Sequence, residues 1–329
     1  MKKKYIFNFL LFFFSFAISI FLIEFLLRIN GSGPSGNFHS NRNDPTINEY
    51  DPNLGWKPKK GLYKLESYSK DKNPFTITIN ENGSRKSGNE PTNNLGEIAI
   101  LGGSLTWGWG VSDKETFAWK LQKKITNYKV TNYAVGGYGT YQSLLKLEEL
   151  LSERNNIEYV ICMFVPHHEV RNIGDEFWLR TLTKFSKRGY VSLPYASLGK
   201  DRKLVRHPPI SYIKLPMRES SAIVNKIEKR IMKIKLNSNH QNRVEITKKI
   251  LEKMSNLSNN NNIKFLFVNI SSNSDDIADY LNFFKENQIN YKNCNFESTE
   301  DLVVKGEGSH PNDKMHTKYS ECIYSYLKI

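Results

Sequence analysis

From residue 97 onward, short continuous apolar runs alternate with stretches in which apolar residues recur every three or four positions. Residues 97–101 (Glu-Ile-Ala-Ile-Leu), 130–135, 157–165 and 263–270 are the short runs, the length expected of strands covered on both faces. Between them, Phe117, Leu121 and Ile125 mark a helical face over 115–125, and residues 141–154, 222–235 and 243–257 repeat that spacing. Buried strands alternating with helices of 10–15 residues predict an α/β domain built on a doubly wound parallel sheet. Residues 46–96 carry scattered aromatics and the alternating Phe75-Thr76-Ile77-Thr78-Ile79, which predicts an irregular lead-in with a hairpin. No internal repeat is visible. The stretch 171–221, with Trp178, Pro194, Pro208, Pro209 and Pro216, exceeds an ordinary connection and is expected to be an insertion over the site.

The amino-terminal pattern is different. Residues 5–27 are apolar apart from Asn8, two serines and Glu24, and as a helix they reach about 34 Å, enough to cross a hydrocarbon core of ~30 Å. Lys2, Lys3 and Lys4 stand before this run and are expected to stay cytoplasmic, placing everything after Arg28 on the extracytoplasmic side, periplasmic or extracellular. A cleaved signal peptide is the competing reading, although Ile29-Asn30-Gly31-Ser32 makes a poor cleavage site. The expected organisation is therefore an anchor over 1–28, a polar spacer over 29–45 and one α/β domain over 46–329.

Composition narrows the classes. With 329 residues, 20 Gly, 12 Pro and 3 Cys, the chain is neither collagen-like, nor low-complexity, nor a disulfide scaffold. It carries 47 Lys+Arg against 33 Asp+Glu, a formal +14, which falls to +11 when residues 1–28 are left out. That charge suits nucleic acid, anionic lipid or an acidic glycan, or reflects only a lysine-rich coding bias, which the Asn- and Lys-rich stretches such as 259–262 favour, and an exported domain rarely meets nucleic acid. The basic stretch 226–235 alternates charge with apolar residues at helical spacing and reads as a solvated helix face. Cys162 lies in an apolar run and reads as a small buried hydrophobe, whereas Cys294 and Cys322 could pair in an oxidising compartment.

Candidate chemistry gathers at the carboxyl ends of the predicted strands, where open parallel sheets bind ligands. The first run ends in Gly102-Gly103-Ser104-Leu105-Thr106-Trp107-Gly108, whose glycines permit a sharp turn and present Ser104 after it. Taken alone, such a serine is equally a nucleophile, a helix cap or a phosphate contact. The second run leads into Gly136-Gly137-Tyr138-Gly139-Thr140-Tyr141-Gln142, the third into Pro166-His167-His168-Glu169-Val170-Arg171-Asn172, and Glu307-Gly308-Ser309-His310-Pro311-Asn312 precedes a last helix. The glycine-rich turn lacks the spacing of a dinucleotide fingerprint and the lysine of a phosphate loop, and the histidines lack a zinc-binding motif, so no cofactor and no metal is expected.

These four segments, in this order over about residues 97–326, resemble the SGNH (GDSL-like) hydrolase family. The lead-in Asp51-Pro52-Asn53-Leu54-Gly55-Trp56-Lys57-Pro58 is similar to the start of membrane-attached bacterial members. The resemblance implies a three-layer α/β/α flavodoxin-like sheet and a serine hydrolase centre. Ser104 would be the nucleophile, His310 the general base and Glu307 the acid that orients it. The oxyanion hole would be formed by the Ser104 and Gly137 amides and by His168. Three departures stand out: Gly103 replaces the family's Asp before the serine, His168-Glu169 replaces its Asn-Asp pair, and Glu307 replaces the Asp three residues before the histidine. The implied activity is that of an esterase or O-acyltransferase acting on ester, above all O-acetyl, groups of an envelope glycan, a polysaccharide modification. The alternative is a catalytically silent relative that binds a glycan or a partner protein.

Overall fold

The computed structural model describes residues 2–36, 46–67, 74–153, 156–183, 192–236, 240–271, 277–306 and 308–327. The chain divides into two compact units, Met1–Ser40 with Tyr212–Asn237, and Asn41–Ser211 with Ser238–Ile329.

The smaller unit begins with α1 (Lys2–Ile29). Over Lys4–Ile29 it is long and apolar enough to cross a membrane, and none of that window is buried in the protein.

The larger unit opens with two antiparallel pairs, β1 (Asn48–Asp51) with β2 (Gly55–Pro58) and β3 (Gly61–Leu65) with β4 (Phe75–Ile79). The alternation seen at 75–79 is thus one strand of a hairpin, with Phe75, Ile77 and Ile79 facing inward. The parallel sheet follows. Its strands are β5 (Glu97–Leu101), β6 (Lys129–Asn132), β7 (Ile157–Phe164), then later β10 (Lys264–Asn269) and β11 (Tyr291–Asn293). Their order across the sheet is β11-β10-β7-β5-β6, every neighbouring pair parallel. Between and after these strands come α2 (Ser104–Trp107), α3 (Phe117–Lys124), α4 (Thr140–Glu153), α5 (His168–Asn172) and α6 (Glu176–Leu182). A hairpin of β8 (Leu193–Leu198) and β9 (Leu204–Ile210) precedes α7 (Ala222–Leu236), which belongs to the smaller unit. The remaining helices are α8 (Arg243–Asn260), α9 (Ala278–Glu286) and α10 (Asp313–Leu327).

Alternation within the strands builds two cores. Ile98 and Ile100 of β5 point toward Phe117 and Leu121 of α3 and Met315, Tyr319 and Ile323 of α10. Ala99 and Leu101 point the other way, toward Leu144 and Leu147 of α4, Ile250 and Met254 of α8, and Tyr280 and Phe284 of α9. Helices therefore cover both faces, the arrangement that lets a parallel sheet bury near-continuous apolar strands. Each fully buried Leu, Ile or Phe stabilises the fold by about 1.5–3 kcal/mol relative to an exposed one. Since β5 lies between β6 and β7, the chain reverses direction across the sheet beside β5, and a crevice opens at the carboxyl ends of β5 and β7.

Differences from the sequence reading fall on short or proline-bearing elements. β11, Tyr-Lys-Asn, has no apolar run because it is an edge strand of three residues. Pro194, Pro208 and Pro209 hide the hairpin β8–β9, where two-stranded edges tolerate residues that donate no hydrogen bond.

Candidate active site

Ser104 is the first residue of α2, immediately beyond β5, and it is half-exposed, whereas Gly102 and Gly103 before it are buried. The turn is crowded. A Cβ on Gly102 would lie 2.3 Å from Thr106 Oγ1, and one on Gly103 would lie 2.8 Å from His168 Nε2 and 3.0 Å from both Arg171 Nη1 and the Tyr138 carbonyl oxygen. A Cβ at 103 would press on the ends of two side chains and on a backbone carbonyl, so glycine is what fits there.

His310 arrives from the other end of the chain. Val304 N–H donates to the His310 carbonyl at 2.8 Å, and Asn312 N–H donates to the Leu302 carbonyl at 3.0 Å. Asn312 also caps α10, accepting from Lys314 and Met315 N–H at 3.0 and 3.2 Å, while its side-chain amide donates to the Asp301 carbonyl at 2.7 Å. The disulfide Cys294–Cys322 closes the same region, joining the segment after β11 to α10. His310 Nε2 then stands 2.9 Å from Ser104 Oγ, across 206 positions of sequence. Glu307 lies outside the described residues.

The other two segments surround this pair. Gly137 lies in the turn between β6 and α4 with φ +89°, a conformation that favours glycine, and a Cβ there would lie 3.1 Å from Trp56 and 3.2 Å from Leu182. The neighbouring Tyr138 carbonyl accepts from Arg171 Nη1 at 2.7 Å, and the Tyr138 hydroxyl donates to the Trp56 carbonyl. Gln142 donates to the Leu54 carbonyl at 2.8 Å. The lead-in around Asp51–Pro58 is thus tied to the turn that carries Gly137.

His168 opens α5 and is 2% exposed, its ring edge-on to Phe164 and His167. Burial first, then the charges of Arg171 and His167, hold His168 well below the usual histidine range, so its imidazole is neutral and keeps one N–H to donate. Burial also brings the Arg171 guanidinium down to about 9. A cavity of about 460 Å³ lined by Leu105, His167, Ile270, Val303, Ser309 and Tyr319 opens beside these groups. A larger one, about 820 Å³, is lined by residues of the lead-in and β6 and includes neither Ser104 nor His310. Among the described residues, no group of three His, Cys, Asp or Glu is placed to hold a metal ion. His316 instead stacks on Phe117 at 5.9 Å in the core.

Three residues at or beside the site went unassigned in the sequence. Arg171 follows His168 by three positions on one helical face, stacks on Trp178 at 4.1 Å and borders Gly103. That three-residue spacing was the available signal. Asn172, fully buried, accepts from Tyr141 N–H at 2.8 Å and donates to Thr247 at 2.9 Å, fixing the start of α4. Arg85 is buried behind the nucleophile turn. It donates to the carbonyls of Trp107, Gly108 and Val111 at 2.9, 2.6 and 2.7 Å and pairs with Asp113 at 2.9 Å.

No protein-family model and no curated protein matches the chain. Among solved structures it is similar to TesA, with 12% identity over 70% of this chain and 98% of that one and a TM-score of 0.41. It is similar to the psychrotrophic esterase EstA from Pseudoalteromonas sp., with 13% identity, 71% and 100% coverage and a TM-score of 0.40. A mutant of Axe2, an acetyl-xylooligosaccharide esterase from Geobacillus, shows 8% identity, 72% and 96% coverage and a TM-score of 0.38. The functional reading rests on Ser104 and His310, not on these likenesses.

Proposed function

We propose that the chain is a serine-dependent ester hydrolase of the SGNH type, held at a membrane by α1 with its α/β unit on the extracytoplasmic side. The observation that carries the chemistry is the 2.9 Å approach of His310 Nε2 to Ser104 Oγ at the carboxyl end of β5. With Nε2 unprotonated, the serine hydroxyl donates to it, and the imidazole takes the proton as Oγ attacks the ester carbonyl. The tetrahedral oxyanion is met by the Ser104 N–H, which at the first position of a helix has no intrahelical acceptor, with the Gly137 N–H and the neutral His168 as further donors. Collapse expels the alcohol, protonated by His310, and leaves an acyl-Ser104 ester that water or a sugar hydroxyl then resolves. Glu307 is assigned as the carboxylate that orients His310.

The Cys294–Cys322 disulfide and the lysines ahead of α1 support the extracytoplasmic placement. The charge of +11 beyond residue 28 supports an acidic, O-acetylated envelope glycan as substrate.

Acetyl-ester hydrolysis by Ser104→Ala and His310→Ala is expected to fall by roughly 10⁴-fold or more, with the double variant no worse than the worst single one, because the two groups act as a unit. Undiminished hydrolysis in both single variants overturns the assignment.

A further inference from the structure

The basic segment that the hydrolase reading leaves unused is α7. It is tied to the end of α1 by the one carboxylate of the apolar run. Glu24 accepts from Ala222 and Ile223 N–H at 2.8 and 3.0 Å and from Ser221 Oγ at 2.9 Å, so it caps the amino terminus of α7. Arg28 donates to the Ser220 carbonyl at 2.8 Å. Beyond α1 the chain is fastened to the same unit, with Asn225 donating to the Gly33 carbonyl at 2.8 Å and Ser35 N–H to the Arg218 carbonyl at 2.8 Å.

One face of α7, Ala222, Asn225, Glu228, Met232 and Leu236, is buried. Glu228, its only acid, is consumed there, accepting from Tyr212 Oη and Leu215 N–H at 2.8 Å each and pairing with Arg218 at 3.3 Å. Turned away from that face is a stripe of isoleucines at spacings of four and three, Ile227, Ile231 and Ile234, exposed by 49, 38 and 66%. Lys226, Arg230 and Lys233 run along one side of the stripe and Lys235 lies on the other. Apolar stripe, cationic flanks and no unpaired acid are the makeup of a helix that lies in a membrane interface.

Position agrees with makeup. Residues 5–23 of α1 measure about 28 Å as a helix, close to the ~30 Å hydrocarbon core, so Glu24 and the start of α7 come at the head-group boundary. We infer that α7 is an interfacial helix that docks on anionic phospholipid, with Ile227, Ile231 and Ile234 in the acyl boundary and the cations at the head groups. This rests on the reading of α1 as a membrane span. An apolar stripe at its centre disfavours a polyanion such as nucleic acid as the occupant.

The test uses the full chain reconstituted in vesicles of phosphatidylcholine, alone or mixed with phosphatidylglycerol. Nitroxides are placed at Phe14→Cys and Ile231→Cys, since Cys162 is buried and Cys294 and Cys322 are paired. Their depth is read from accessibility to oxygen against a water-soluble nickel chelate. The expected result is a Phe14 label at mid-bilayer in both lipids and an Ile231 label at the acyl boundary that is strongly favoured by phosphatidylglycerol. Replacing Lys226, Arg230 and Lys233 by Gln should leave the Phe14 depth unchanged and lower the docked-to-undocked ratio at 231 by roughly fivefold per cation removed. A Phe14 label in the bilayer with an Ile231 label in water overturns the inference while the span stands. Spin–spin broadening at 231 without lipid contact assigns the stripe to a second copy of the chain and also overturns it. A Phe14 label in water defeats the span, and the inference falls with it.

Discussion

Gly103 shows how a single position is settled by its neighbours. His168 Nε2, Arg171 Nη1 and the Tyr138 carbonyl all come within 3.0 Å of where a Cβ would be. Gly103→Asp, which writes the family's usual residue into this chain, is therefore expected to lower stability by at least about 1–3 kcal/mol and to reduce kcat; thermal melting and steady-state kinetics check both. Arg85 is the opposite case, a buried charge satisfied by four carbonyls, those of Thr76, Trp107, Gly108 and Val111, and by Asp113. Arg85→Met leaves Asp113 with Thr78 N–H but without its cation and loosens the turn after Ser104, with an expected cost of about 3–5 kcal/mol in chemical denaturation. His168 supplies a pH dependence. Its folded-state pKa is depressed, so below about pH 6.5 the unfolded chain takes up a proton that the folded chain refuses, and stability is lost as pH falls through that window. Melting temperatures between about pH 7 and 5 should fall less steeply in His168→Asn than in the unaltered protein. Ser104, Gly137, His168 and His310 could be singled out in the sequence because each follows a predicted strand or precedes the last helix, and the structure brings Ser104 and His310 within 2.9 Å. Arg85 was not, because nothing in Gly83-Ser84-Arg85-Lys86 distinguishes the arginine that turns inward from the lysine beside it that stays exposed.

At the scale of elements, the loop bearing His310 is held by the capping residue Asn312, by the bridge between Val303 and Pro311, and by Cys294–Cys322. The disulfide spans 28 positions and encloses His310, so its reduction should cost about 3–4 kcal/mol of stability. Dithiothreitol is accordingly expected to lower both the melting temperature and kcat, and the Cys294→Ser/Cys322→Ser double variant to reproduce the effect; equal activity with and without the bridge contradicts its part in positioning His310. The periodic elements were visible in the sequence. β5, β7, β10, α4 and α8 match the predicted runs to within a few residues, because an element buried on a fixed face must repeat its apolar residues at its own period. The edge strand β11 and the strand β9 lack such a face, and the period disappears with it, while β8 is buried over its first four residues but too short and proline-bearing to show a period. The pairing of Ser104 with His310 was legible only through motif order, since spacing along the chain carries no information about a contact 206 residues away.

For the molecule as a whole, the proposed function joins three features: an apolar helix long enough to span a membrane, a helix with an isoleucine stripe flanked by cations, and a serine–histidine pair. The formal +14 then divides into lysines ahead of the span, cations along α7 and the remaining charge of the α/β unit. A periplasmically active reporter fused after Ile329 is expected to be functional, and a cytoplasm-dependent one silent; the reverse pattern contradicts the topology. The most direct measurement is intact-mass analysis of the full chain after reaction with a serine-reactive phosphonate ester, followed by peptide mapping. A single phosphonyl adduct on Ser104, absent from Ser104→Ala, slowed in His310→Ala and formed in step with loss of ester hydrolysis, is the predicted result. An unmodified Ser104 in a folded protein that hydrolyses esters contradicts the account, as does an adduct elsewhere that abolishes hydrolysis.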